Sequence, residues 1–215
     1  MNGSTSHMTA PGQEAEAWIR GVLRSPAGRP ARLVVKVGGS LLSRPGWPGL
    51  LASLLDGLDR RPCRIVVGGG AIVDGLRTID RAHPQPAPLA HGLAIDALRL
   101  TARLVCEAVG LPLTATWDPA IGLAVLDVPA WMAGNDAAAR LPAGWQVTSD
   151  SLASCAAEGG GLWLAKSVPP PPCPIGADPI KAAATAGWVD EHFPAVAAGL
   201  GEIGWAAPAS LSGGG

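Results

Sequence analysis

Short runs of β-branched and aliphatic residues alternate in this chain with longer segments whose apolar positions recur every three or four residues. That alternation predicts an α/β protein. The segment 32–37, Arg-Leu-Val-Val-Lys-Val, is apolar nearly throughout, as a strand buried on both faces of a parallel sheet must be, and it runs straight into Gly38-Gly39-Ser40. Residues 47–58 carry apolar side chains at helical spacing. The profile then repeats: 64–67 reads as a second buried strand, Gly68-Gly69-Gly70 follows it, and a helix over 71–79 starts directly after the glycines. Strand, helix and strand in that order make a βαβ unit.

Further along, a Pro-rich turn over 83–88 precedes a long apolar-periodic helix over 89–109. After it come a strand at 123–128, a short extended piece at 145–147, a helix over 149–157, and a strand over 161–165 that halts at Lys166. The prolines Pro169 to Pro172 and Pro174 predict an irregular connection, with a helix over 179–186 beyond it. At the other end, 18–23 has the spacing of a short amphipathic helix. Residues 1–12 read as a polar tail and 210–215 as a fraying terminus. The predicted organisation is therefore a tail with a short helix over 1–30, one domain over 31–209, and a C-terminal tail over 210–215. The order of elements predicts a three-layer α/β/α sandwich with a mainly parallel central sheet, whose ligands gather at the carboxyl ends of the strands.

Composition narrows the functional classes. With 215 residues, 48% hydrophobic and 15% charged, the chain can bury a sizeable core and lacks the profile of a disordered or coiled-coil protein. A net charge of −1 without any basic stripe gives nucleic acid no electrostatic footprint to bind. Apolar runs break off well before the roughly 18 residues that span a bilayer, so the expectation is a cytoplasmic protein without membrane partners. Cys63, Cys106, Cys155 and Cys173 are scattered without zinc-site spacing and read as reduced packing residues, and no metal site is expected from them. The basic residues are the informative ones, since 13 of the 16 are Arg and only Lys36, Lys166 and Lys181 are Lys. In a chain that otherwise uses guanidinium, those three ammoniums either sit where a compact charge is needed or are left over from codon bias.

Lys36 ends the first predicted strand, and Gly38, Gly39 and Ser40 follow without bulky side chains, so backbone N–H groups can close on phosphate oxygens. The spacing is neither that of a Walker loop nor that of a dinucleotide-binding fingerprint. Gly68, Gly69 and Gly70 repeat the arrangement ahead of a helix whose dipole favours an anion. Two such turns on one sheet predict two phosphates, or a phosphate and an acidic acceptor. In Trp145 to Ala153, Thr148, Ser149 and Asp150 suit two roles, capping the helix and setting an acidic residue among the lysines. Asn135 and Asp136 suit acceptor contacts or a turn. His91 lies in an apolar helix and reads as a packing histidine, and the eight Trp read as core mass, with a Trp near the pocket able to stack on a furan or adenine ring.

In that order, the Lys-x-Gly-Gly-Ser turn, the Gly-Gly-Gly turn and Trp145-Gln146-Val147-Thr148-Ser149-Asp150-Ser151 resemble the amino acid kinase superfamily over about 32–194. Within it, Ala90 to Ala97, Leu164 to Val168 and Gly187 to Pro194 are most similar to the small (aminomethyl)furanmethyl-phosphate kinases of methanofuran-type cofactor biosynthesis. The resemblance implies phosphoryl transfer from MgATP, with Lys36 bridging phosphates and Gly38, Gly39 and Ser40 cradling the transferred group. It further implies that Gly68, Gly69, Gly70, Asn135 and Asp136 hold the acceptor, Asp150 organises the lysines, and Thr148, Ser149, Lys166 and Lys181 face the nucleotide. In that subfamily the acceptor is a phosphate monoester and the product a diphosphate, and the superfamily implies a homo-oligomer of at least two copies. The superfamily also includes kinases of carboxylates, carbamates and nucleoside monophosphates, and proteins that bind nucleotide or store oxyanions without turnover. One departure stands out: related chains continue Lys-Ser-Val with an Asp-Gly turn, whereas here Val168 is followed by the proline run. The nucleotide-side loop is therefore expected to be reshaped relative to theirs.

Overall fold

The computed structural model describes residues 17–26, 28–58, 61–169, 172–173 and 175–209. The tails expected over 1–12 and 210–215, and Pro170, Pro171 and Pro174 of the proline run, lie outside them. The described strands are β1 (Trp18–Arg24), β2 (Leu33–Val37), β3 (Cys63–Val67), β4 (Leu113–Thr114), β5 (Leu123–Leu126), β6 (Gly161–Ala165) and β7 (Glu202–Pro208). They form one seven-stranded sheet in the order β1-β7-β6-β2-β3-β5-β4. All neighbours run parallel except β1, which lies antiparallel on β7.

The helices are α1 (Trp47–Asp56), α2 (Gly70–Ala82), α3 (Ala87–Val109), α4 (Val128–Ala133), α5 (Asp136–Ala139), α6 (Ser149–Ala156), α7 (Pro179–Thr185) and α8 (Phe193–Val196). They cover both faces, because every residue of β2 and β3 is buried and a two-sided apolar strand needs a layer on each side. Val34, Val66, Leu162 and Leu164 pack with Leu152 of α6, Ile180 of α7 and Phe193 of α8. Val35, Val37, Ile65 and Val67 pack on the other face with Leu50, Leu51 and Leu54 of α1 and with Ala102 and Val105 of α3. The result is the expected α/β/α sandwich. The outer side of α3 leaves Leu89, Leu93, Leu100 and Leu104 exposed, and no helix is long and apolar enough to cross a membrane among the described residues.

Register explains where a site can form. Val37 pairs with Val67 of β3 and with Ala165 of β6, so three adjacent parallel strands end at one level. The chain leaves them as Gly38, Gly68 and Lys166. Alternation along β2 sets Lys36 on the same face as Val34, beneath α6.

Two expected elements take another form, and β4, β7, α4, α5 and α8 stand where the sequence reading places none. Residues 18–24 form an edge strand and not a helix, so the sheet begins before the boundary expected at 31. The cause is β7, which supplies Trp18–Arg24 with a hydrogen-bonding partner whose own sequence shows no strand alternation. Residues 145–147 form a turn and not an extended piece. Trp205 on β7 is fully buried, sits 5.9 Å from the Trp188 ring, and donates its indole N–H to the Val168 carbonyl at 2.9 Å. Trp205→Ala should remove about 3–5 kcal/mol of stability, measured by urea unfolding, since it empties a large core volume and frees the chain beyond Lys166.

Candidate active site

The Lys36 ammonium lies 2.9 Å from Asp150 Oδ1. The Lys166 ammonium lies 2.8 Å from the same oxygen and 2.7 Å from Oδ2. Two lysines from neighbouring strand ends therefore share one carboxylate at the start of α6. Lys36 is 5% exposed and Asp150 4%, so this is a buried cluster of two positive charges and one negative.

The protonation of the cluster follows from that imbalance. Burial works against the Asp150 carboxylate, but the pull of Lys166 and Lys36 outweighs it and brings the carboxyl down to about 2. Burial also disfavours the Lys166 ammonium, and repulsion from Lys36 adds to this; with Asp150 opposing, the group is lowered to about 8. The excess positive charge is buried, and an arriving anion would relieve it.

Asp150 reaches the lysines because the turn before α6 is anchored. Thr148 caps the helix through its hydroxyl, which accepts from the Asp150 amide at 3.3 Å. Asp190 accepts from the Thr148 amide at 2.9 Å and hydroxyl at 2.8 Å, from the Ser151 amide at 3.1 Å and hydroxyl at 2.5 Å, and from the Phe193 amide at 2.9 Å. One carboxylate thus ties the start of α6 to the start of α8.

The two glycine turns touch. Gly68 donates to the Val37 carbonyl at 2.8 Å and Gly38 to the Ala165 carbonyl at 2.7 Å, which joins the strand exits side by side. A β-carbon on Gly39 would run into the Gly70 backbone. Gly70 itself has φ of +51°, a left-handed conformation in which a β-carbon would lie 2.6 Å from the Gly39 carbonyl oxygen. Glycine is required at both positions by the close approach of one turn to the other. The Ser40 hydroxyl meets that of Ser167 at 2.8 Å, linking the first turn to the strand end that carries Lys166.

Above these turns opens a cavity of about 710 Å³, within the size range of small-molecule sites. Of the residues expected from sequence, Lys36, Gly39, Ser40, Gly68, Gly69, Gly70, Thr148, Ser149, Asp150 and Lys166 line it. Gly38 sits behind it against Ala165 and Lys166. Asn135, Asp136 and Lys181 are not among its lining residues. The Asn135 side chain instead accepts from the Ala138 amide and caps α5, and Asp136 is the first residue of that helix. Those two residue types suit a helix start as well as a ligand, and local capping claimed them. Lys181 is exposed on α7. The structure also brings in Asp74 and Arg77, which no sequence motif marked, and Trp145, Trp188, Asp190 and Glu191, which lie in stretches that carry the family resemblance. His91 approaches the Gly144 carbonyl at 3.3 Å, which fits its reading as a packing residue.

No family model matches the sequence, and no curated protein matches it. Among solved structures, the uridylate kinase of Archaeoglobus fulgidus is similar over 80% of this chain and 99% of its own, at 15% identity and a TM-score of 0.51. The UMP kinase of Bacillus anthracis aligns over 84% of this chain and 97% of its own, at 11% identity and a TM-score of 0.47. The likeness to the archaeal enzyme shows a shared α/β fold. At 15% identity the likeness to the archaeal enzyme bears on architecture, and the chemistry has to be argued from the cluster itself.

Asp150→Asn strips the carboxylate from two buried ammoniums. It should cost about 3–5 kcal/mol in urea unfolding. Added inorganic phosphate should restore more stability to this variant than to the wild type, because the vacated charge is anionic.

Proposed function

We propose that this protein is an ATP-dependent kinase that transfers a phosphoryl group to a small acceptor already bearing a phosphate, giving a diphosphate. The observation that carries the reading is the buried cluster of Lys36, Asp150 and Lys166, with its excess positive charge, beside two interlocked glycine turns at one end of a single cavity. Phosphoryl transfer asks mainly for in-line positioning and for neutralisation of charge on the moving group, and this arrangement suits both.

In this scheme an oxygen of the acceptor phosphate attacks the γ-phosphorus of ATP, the bond from that phosphorus to the bridging β,γ-oxygen breaks, and ADP departs with the electron pair. Lys36 and Lys166 bear on the phosphoryl oxygens from the strand ends, and the backbone around Gly39 and Gly70 approaches without side chains. Asp150 holds the ammoniums apart and in place. Its carboxyl is too acidic to take up a proton near neutrality, and a phosphate nucleophile needs no strong base. No group of three His, Cys, Asp or Glu that could cage a cation occurs among the described residues. Magnesium would arrive with the nucleotide phosphates, a common mode for this ion.

The favoured acceptor is [5-(aminomethyl)furan-3-yl]methyl phosphate, on the strength of the sequence resemblance. A nucleoside monophosphate is the second reading, and the likeness to a structure named as a uridylate kinase favours it. Both acceptors present a phosphate monoester on a small ring system, and a panel assayed with one ATP preparation separates them.

Two measurements test the kinase reading. Lys36→Ala should lower kcat at least about 100-fold in an ADP-release assay, as expected when a charge-neutralising group is lost, and full activity in that variant would end the proposal. Lys166 carries its proton only below about 8, so kcat/KM for ATP should fall as pH rises through that value. Lys166→Arg should remove this alkaline limb, because a guanidinium stays charged. A limb that persists in the variant would assign the titration to another group.

A further inference from the structure

On α2, Gly70, Val73, Asp74 and Arg77 all line the cavity. Their i, i+3, i+4, i+7 spacing makes them one helical face. Arg77 is the only arginine in that lining among the described residues. Its guanidinium lies 5.2 Å from the centroid of the Trp145 ring, and its Nη1 donates to Asp74 at 3.1 Å. The Arg77 side chain is 35% exposed and that of Asp74 69%, so this ion pair is one that water screens and that breaks at little cost.

The stack is braced more firmly than the pair. The Trp145 indole N–H donates to Asp80 Oδ2 at 2.8 Å, and Asp80 Oδ1 accepts from the Gln85 amide at 2.8 Å. Those two bonds hold the Asp80 carboxyl below its usual range, the Gln85 amide first and the indole second. Trp145 is thereby strapped to α2 one turn beyond Arg77, with its ring beside the guanidinium, whose Nη1 is engaged by Asp74. A guanidinium fork held beside a ring, and paired to a largely exposed carboxylate, is well suited to taking two oxygens of a phosphate once that pair opens.

Distance places that phosphate. Arg77 lies seven residues beyond Gly70, about 10 Å along the helix axis, and helical side chains lean back toward the N-terminus, which shortens the gap. A phosphate seated near the Gly70 turn is then within reach of the guanidinium.

We propose that Arg77 binds the acceptor's own phosphate and that Asp74 is an internal anion occupying Arg77 until the acceptor displaces it. This rests on the kinase reading above in taking the acceptor to be phosphorylated. It gives the α2 face one task, distinguishing a phosphate monoester from the corresponding alcohol, and it assigns Trp145 and Asp80 to positioning.

The test titrates methyl phosphate into full-length protein saturated with the non-hydrolysable analogue AMP-PNP, which fills the nucleotide's phosphate sites, with binding followed by phosphorus NMR. Arg77→Gln should weaken binding about 10- to 100-fold, as expected for lost charge-assisted hydrogen bonds. Arg77→Lys should recover part of it. Asp74→Asn should tighten binding about 2- to 5-fold by removing the competitor. The opposite signs matter, because a purely structural role would make both substitutions weaken binding. Unchanged binding in Arg77→Gln, weaker binding in Asp74→Asn, or no methyl phosphate binding to the wild type would each overturn the assignment. AMP-PNP binding is recorded in the same samples, so its presence with a failed acceptor result rejects the role of Arg77 alone, and its absence rejects the kinase reading itself.

Discussion

The site depends on one buried carboxylate held between two ammoniums at the floor of the cavity. Asp150 neutralises only half of the charge that Lys36 and Lys166 bring to the strand ends. Burying such a cluster costs stability that a hydrophobic replacement would not, so its presence argues for use more than for structural support. Much of the surrounding geometry keeps it assembled: the in-register exit of β2, β3 and β6, the Asp190 bonds that fix the start of α6, and the Trp205 indole that holds the chain past Lys166.

The glycine turns complement that charge by shape. Gly39 and Gly70 approach so closely that neither tolerates a β-carbon, and the wall they share is backbone. A wall of this kind would let phosphate oxygens approach main-chain N–H groups in the proposed reaction, with the lysines supplying full charge from beneath. The cavity then extends along α2 and α3, where Trp145 and Arg77 give it a different character from the lysine end.

The parallel core and most of the residues that line the candidate site could be read from sequence because both are local. Buried strands announce themselves as β-branched runs, and the glycines and lysines sit directly at their ends. What escaped was decided at long range. The seven residues of β1 fit a helical period as well as a strand, and only pairing with β7 settles the matter. β7 itself, Glu-Ile-Gly-Trp-Ala-Ala-Pro, has no alternation to betray it. Asn135 and Asp136 belong to residue types that serve helix starts and ligands alike, and here Asn135 caps a helix. Asp190 lies in the Gly187 to Pro194 stretch, but its role comes from bonds to a turn some forty positions away, and Arg77 had no local motif and is drawn in by a ring on a different loop.

The most direct test of the central claim is a crystal structure of the protein with a non-hydrolysable ATP analogue. The account predicts that oxygens of the terminal phosphate lie about 3 Å from both the Lys36 and Lys166 ammoniums, with Asp150 still between the two lysines. A terminal phosphate bound elsewhere in the cavity, with the lysine cluster closed and untouched, would contradict it.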